Sequence, residues 1–157
     1  MKIRTATQND LKEIAQLIRE IAEYEKMSND IKWTEENLNQ ALFIEKSAYV
    51  ILGELEGKII GFALYFFNFS TFEGRKGLYL EDLFIYEAYR SNGYGKLFFN
   101  ELLRIAKENN CGRMEWVCLN WNKPSIGFYE SLNAQPLTQW TTWRLEDHQF
   151  DDILDKS

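Results

Sequence analysis

The stretch Leu78–Gly95, LYLEDLFIYEAYRSNGYG, constrains the chain more than any other. Its first part, Leu78 to Ile85, reads as a buried strand that carries two acids, Glu81 and Asp82. Its second part, Arg90-Ser91-Asn92-Gly93-Tyr94-Gly95, is a glycine-punctuated turn that opens directly into a helix. A strand, a loop of exposed backbone N–H groups and a helix N-terminus together form an anion site, because the unsatisfied N–H groups and the helix dipole both favour negative charge. The stretch is therefore expected to bind a phosphate-bearing cofactor and to bring an amine beside it, where the two acids meet a cation.

The rest of the chain supplies the frame for such a stretch. Lys2 to Ala6 is a short strand candidate, and Thr7 with Asp10 forms a capping box for a helix. Leu11, Ile14, Leu17, Ile18 and Ile21 recur at helical spacing and predict a helix to about Glu25 with one buried stripe. Lys26 to Asn29 is a polar loop, and Thr34 starts a shorter helix with Leu38, Ala41 and Leu42 inward. Ala48–Leu55 and Lys58–Phe69 flank Glu56-Gly57 as a β-hairpin, and Thr71 to Gly77 is a loop. The helix after Gly95 carries Leu97, Phe98, Leu102, Leu103, Ile105 and Ala106 and stops at Asn109-Asn110. Arg113–Leu119 is a further strand, parallel to the one before the helix. Asn122 and Pro124 open a helix holding Ile126, Phe128, Tyr129 and Leu132, with Asn133 left-handed at its end. Trp140 to Leu145 is a last strand, followed by an acidic tail. The order predicts one α/β domain over residues 1–157. Its mixed sheet has about six to seven strands, antiparallel early and parallel in the middle, with helices on both faces.

Composition narrows the function classes. The formal charge of −6, with a pI near 4.9, argues against nucleic acid, whose phosphates need a basic face. An acidic cleft suits a small cation, although solubility alone also accounts for the charge. Cys111 and Cys118 form no C-x-x-C pair and have no histidine cluster, so no metal is expected. Their spacing could allow a disulfide, but small core thiols are the plainer reading. No apolar run is long enough to span a membrane and none forms a leader, so a soluble cytoplasmic protein is the expectation. The one histidine, His148, sits in the charged tail, which leaves acid–base work to Glu, Asp or Tyr.

R-x-x-G-x-G after a buried strand, then N-x-P-S-x-x-F-Y on a later helix, resembles the GNAT superfamily of acyl-CoA N-acyltransferases. The subgroup it looks most like is the spermidine/spermine (diamine) acetyltransferases. The matching segments are Y-E-x-M at Tyr24–Met27, G-F-A-x-Y-x-F at Gly61–Phe67, Y-L-E-D-x-F at Tyr79–Phe84, W-N-x-P-S-I-x-F-Y at Trp121–Tyr129 and W-R-L at Trp143–Leu145. The resemblance implies acetyl transfer from acetyl-CoA to a primary amine, by direct attack in a ternary complex. It implies splayed central strands whose backbone at Leu83, Phe84 and Ile85 pairs with the pantetheine arm, and a homodimer.

On this resemblance Arg90, Ser91, Asn92, Gly93, Tyr94, Gly95 and Lys96 would hold the CoA pyrophosphate, with Asn122 and Ser125 as further cofactor contacts; Asn122 is equally a plain helix cap. Tyr129 resembles the family's general acid, stabilising or protonating the departing sulfur, and would otherwise be an amphipathic core residue. Glu81 is the candidate base, taking the ammonium proton through water. Asp82 is its neighbour and points to the opposite face in a regular strand, so either a bulge re-aims one acid or one is structural. Tyr24 and Glu25 match substrate contacts of the subgroup, although Glu25 also reads as a solvated helix-end charge. Trp143 resembles an aromatic wall for the substrate, with core packing as the alternative. Phe72, where the subgroup tends to carry tryptophan, and Ser70-Thr71, where it is more acidic, bear on the substrate pocket. The expected substrate is a polyamine or diamine. Thialysine or a lysine-like amino acid, or a protein amine, are the alternatives, and a non-catalytic acyl-CoA sensor comes last.

Overall fold

The capping box read at Thr7 is present in a computed structural model that describes residues 1–156. Strand β1 (Lys2–Thr5) leads through a 3-10 turn into helix α1 (Leu11–Tyr24), and the side chains of Thr7 and Asp10 cap that turn reciprocally. Helix α2 (Glu35–Asn39) is capped by Thr34, whose hydroxyl accepts from the N–H of Asn37 at 3.2 Å, and it continues as a π-helical turn at Gln40–Ile44. Strands β2 (Tyr49–Leu55), β3 (Lys58–Ser70) and β4 (Arg75–Ile85) follow, then helix α3 (Tyr94–Glu108) and the two-residue strand β5 (Met114–Glu115). The sheet runs β1-β2-β3-β4-β5, antiparallel except for the parallel β4–β5 pair.

Two compact units divide the chain, Met1–Leu119 and Asn120–Ser157. The first contains the sheet, with helices on both of its faces. Alternation along β3 decides which side chains meet which helix. Phe62 and Leu64 lie with Ile14 and Leu17 of α1, Val50 and Leu52 of β2 and Phe84 of β4 in one buried cluster. Ala63 and Tyr65 point the other way, toward α3, which buries Phe98, Phe99 and Leu102. Each buried Leu or Phe contributes about 1.5–3 kcal/mol relative to its exposed state, so these two layers supply most of the unit's apolar stabilisation. The second unit holds helix α4 (Lys123–Ser131) and the short α5 (Phe150–Leu154). Asn133 takes the expected left-handed conformation, at φ 61°. No helix among the described residues is long and apolar enough to cross a membrane.

The sheet has five strands, fewer than the six to seven expected. Residues 140–145 form no strand, and Arg113–Leu119 contributes only Met114–Glu115. β-Propensity expresses itself only where a neighbouring strand completes the ladder, and residues 140–145 have no strand partner among the described residues. Strand β4 starts earlier than expected, at Arg75, because the chain reverses tightly at 71–74 and pairs Ser70 with Arg75 at once. β5 pairs only with Leu78 and Tyr79, so β4 from Leu80 to Ile85 has no strand on that side among the described residues. That is the splay expected of the central strands.

Candidate active site

Between β3 and β4 the register slips by one residue. Leu64 lies opposite Asp82 and Tyr65 opposite Leu80, which leaves Glu81 as the extra residue of a β-bulge. The bulge breaks the strict alternation of β4 at Glu81, and of the two adjacent acids only Asp82 is part of a cavity lining. Asp82 is half-buried and lines a cavity with Glu25 from the end of α1. Burial pushes the Asp82 carboxyl up to about 7, and the carboxylates of Glu81 and Glu25 add to the effect. Glu25 is likewise pushed up, first by burial and then by Glu81. The Tyr79 hydroxyl is raised by burial and by the same Glu81. Glu81 itself is exposed. Three carboxylates thus share one field, one of them titrating near neutrality, an arrangement that draws a cation.

The cavity measures about 570 Å³ and opens widely to solvent. Ile18, Ile21 and Ala22 of α1 form an apolar wall, and the chain after α1 supplies Met27, Asp30, Lys32 and Trp33. Trp33 is braced by Arg19, whose guanidinium lies 4.9 Å from the ring centroid. The Cys118 thiol, pushed up by burial and by Glu25, shows that the chain beyond β5 passes within the field of the same acids. Cys111 and Cys118 are both free thiols. Sequence reasoning did not select Asp30, Lys32 or Trp33. The segment between the first two helices read as a connection, and its one available signal was a charged and aromatic cluster in a short loop, where binding residues concentrate.

At the other end of β4 the expected anion loop has the required backbone. Ser91 and Gly93 have positive φ, 64° and 80°, and Gly93 is the N-cap of the fifteen-residue α3. The first turn of α3 carries no acid, Gly95 is its second residue, and Lys96 is exposed beside it. The Asn92 amide ties the loop down by donating to the carbonyls of Tyr89 at 3.1 Å and Arg90 at 3.0 Å. Arg90 turns inward. Its Nε donates to the Ile85 carbonyl at 2.7 Å, and its guanidinium lies 5.1 Å from the ring centroids of both Tyr24 and Phe84. It therefore links the end of α1, the end of β4 and the loop. Gly61 of β3 permits the close approach there, since a Cβ would sit 2.6 Å from the Phe84 carbonyl oxygen. This loop, the dipole and the adjacent cation fit a diphosphate.

In the second unit, Asn122 is buried and its side-chain oxygen accepts from the N–H of Ser125 at 3.4 Å, so the capping role holds. Ser125 and Tyr129 are half-buried on α4, and the rings of Phe128 and Tyr129 lie 5.7 Å apart. Trp143 is 90% exposed, which overturns core packing as its role.

The Acetyltransferase (GNAT) family model matches residues 10–134, across both units. Thialysine N-epsilon-acetyltransferase of Bos taurus is 35% identical, over 98% of this chain and 97% of its own length. The human spermidine/spermine N(1)-acetyltransferase-like protein 1 is 32% identical over 98% of this chain, but the match spans only 23% of that protein. Among solved structures, an integron cassette protein from V. cholerae superposes with a TM-score of 0.80 at 24% identity, covering 98% of this chain and 96% of that one, and shares its fold. With the bulged acids, the phosphate-ready loop and the splayed strands, these similarities lead to one conclusion: the chain belongs to the GNAT acetyltransferase family and is an acetyl-CoA-dependent N-acetyltransferase acting on amines.

Proposed function

We propose that the protein transfers an acetyl group from acetyl-CoA to the side-chain amine of a lysine-like amino acid of the thialysine type, and that residues 1–157 work as one acetyltransferase domain. The observation that carries the reading is the half-buried Asp82, which lines a solvent-open cavity together with Glu25 and the apolar Ile18, Ile21 and Ala22. The carboxylates of Glu25, Glu81 and Asp82 attract the side-chain ammonium, while Ile18, Ile21 and Trp33 receive its methylene or thioether stem. An amine attacks only after losing its proton. Asp82, raised to about 7, is matched to accept that proton near neutral pH, and exposed Glu81 passes it to water. The free amine then attacks the thioester carbonyl, the C–N bond forms, the C–S bond breaks, the sulfur leaves with the proton of the Tyr129 hydroxyl, and the surplus proton of the newly acylated nitrogen restores the phenol.

Acetyl-CoA supplies the thioester. The backbone from Ser91 to Lys96 is suited to its diphosphate, and the edge of β4 at Leu83–Ile85, which has no neighbouring strand on the β5 side among the described residues, to its pantetheine amides. Arg90 positions this loop through Ile85, and Asn122 and Ser125 add contacts from α4. Exposed Trp143 takes the substrate-wall role that the resemblance implies, and the exposed rings of Trp140 and Trp143 in the second unit suit self-association as a cytoplasmic homodimer. The relative matching over nearly full length in both directions supports the amino-acid substrate over the polyamine, which stands second on the motif at Tyr79–Phe84. The test is thiol release from acetyl-CoA with thialysine, lysine, ornithine, spermidine and putrescine. The reading expects the highest kcat/KM with one of the amino acids; turnover of the polyamines alone overturns it.

A further inference from the structure

The two acids that line the cavity belong to elements that electrostatics pushes apart. Glu25 is the C-cap of α1, at the negative end of the helix dipole, and its charge and that of Asp82 on β4 disfavour one another. Helix ends also fray, because their last carbonyls lack partners within the helix. The fully buried side chains of α1, Ile14 and Leu17, lie further back along the helix. An amine meets both carboxylates only if the end of α1 is held against β4.

Arg90 joins those two elements beside the two acids. Its guanidinium lies 5.1 Å from the ring of Tyr24, the neighbour of Glu25. It lies equally 5.1 Å from the ring of Phe84, two residues on from Asp82 and on the same face of β4. Its Nε donates to the Ile85 carbonyl at 2.7 Å. Phe84 belongs to the buried cluster and Tyr24 packs against it, so both rings are anchored. Only a planar guanidinium can lie against rings and donate to a carbonyl at once; an ammonium is a point charge. The phosphate loop is tied separately, through the Asn92 amide to the backbone carbonyls of Tyr89 and Arg90. We propose that Arg90 is a positioning residue of the amine site, whose side chain acts through Tyr24 to hold Glu25 of α1 beside Asp82 of β4. The inference rests on the proposed role of Glu25 and Asp82 in receiving the substrate ammonium.

The experiment measures kcat and the KM for thialysine at saturating acetyl-CoA, and the Kd of CoA by calorimetry. The proteins are wild type, Arg90→Gln, Arg90→Lys, Tyr24→Leu, the Arg90→Gln/Tyr24→Leu double variant and Glu25→Gln, each with a thermal melt. Arg90→Gln is expected to lower kcat/KM for the amine about tenfold or more, chiefly through KM, because the receiving carboxylate is no longer held in place. CoA binding is expected to weaken less, since the Asn92 ties survive the substitution. Arg90→Lys is expected to resemble Arg90→Gln toward the amine, whereas a phosphate contact would be restored by lysine's charge. The double variant is expected to be no worse than Tyr24→Leu alone, because both changes break one connection. An unchanged amine KM in Arg90→Gln, full recovery in Arg90→Lys, or additive losses in the double variant overturns the role of Arg90 and leaves the amine site as described. An unchanged amine KM in Glu25→Gln overturns both.

Discussion

Replacing Asp82 by Asn should stabilise the protein, and the size of the gain should depend on pH. The Asp82 carboxyl moves from an ordinary 3.8 to about 7 on folding, because burial and the charges of Glu81 and Glu25 disfavour its ionised form. The folded state therefore binds its proton more tightly than the unfolded state. Between those two values the unfolded chain is ionised while the folded one is still protonated, so rising pH favours unfolding throughout that window. The difference is just over three pH units, each worth about 1.36 kcal/mol, which sets a ceiling of about 4 kcal/mol. The cavity is open to water, and screening cuts the expected effect to about 2 kcal/mol. The assay is thermal or urea unfolding of wild-type and Asp82→Asn protein from pH 4 to pH 8. The two proteins should match near pH 4, diverge as pH rises to about 7, and differ above it by a constant amount, with Asn the more stable. For a chain of this length about 2 kcal/mol corresponds to roughly 4–8 °C in Tm. A variant less stable than wild type at pH 8, or equally stable at every pH, would refute the reasoning. The same variant should lose most of its acetyl transfer at pH 7, so a gain in stability would accompany a loss of function.

Other perturbations have equally definite outcomes. Tyr129→Phe should lower kcat by about 10²–10⁴-fold at unchanged Tm, and a loss of only a few-fold would remove Tyr129 from the chemistry. Gly93→Ala places a Cβ on a residue at φ 80° with open space around it, so the cost is dihedral strain of about 1–2 kcal/mol, accompanied by a raised KM for acetyl-CoA; an unchanged KM would count against the loop. Arg4 donates to Asp10 and to Glu54, each at 2.9 Å, and the Arg4 hydrogen bond holds the Asp10 carboxyl down at about 2. A lowered carboxyl stabilises at pH above its unfolded value of 3.8 and loses that stabilisation as pH falls through about 2, so Arg4→Met should cost about 1 kcal/mol at pH 7 and progressively less in acid.

What the sequence made legible was mostly what is local. The Thr7 and Thr34 caps, the glycine-led start of α3 and the left-handed Asn133 each depend on a few adjacent residues, and the structure has them where the sequence places them. The bulge at Glu81 depends on how β3 and β4 register across residues far apart in sequence, so only its two possible outcomes could be written beforehand. The strand expected at 140–145 failed for a related reason, since β-prone residues form a strand only with a partner. Lys32 and Trp33 escaped notice because their meaning comes from α1 and β4, which place Glu25 and Asp82 on the same cavity. Arg90 was legible as a cation beside a phosphate loop, but its hold on Ile85 and its place against Tyr24 and Phe84 depend on the tertiary fold.

The most direct test of the central claim is the identity of the product. Purified protein would be incubated with acetyl-CoA and thialysine, and the acetylated nitrogen located by NMR. The account predicts acetyl on the side-chain nitrogen, because the acids of β4 and α1 draw the more basic ammonium inward. Acetylation of the α-nitrogen, or product formed from spermidine and none from thialysine, would contradict it.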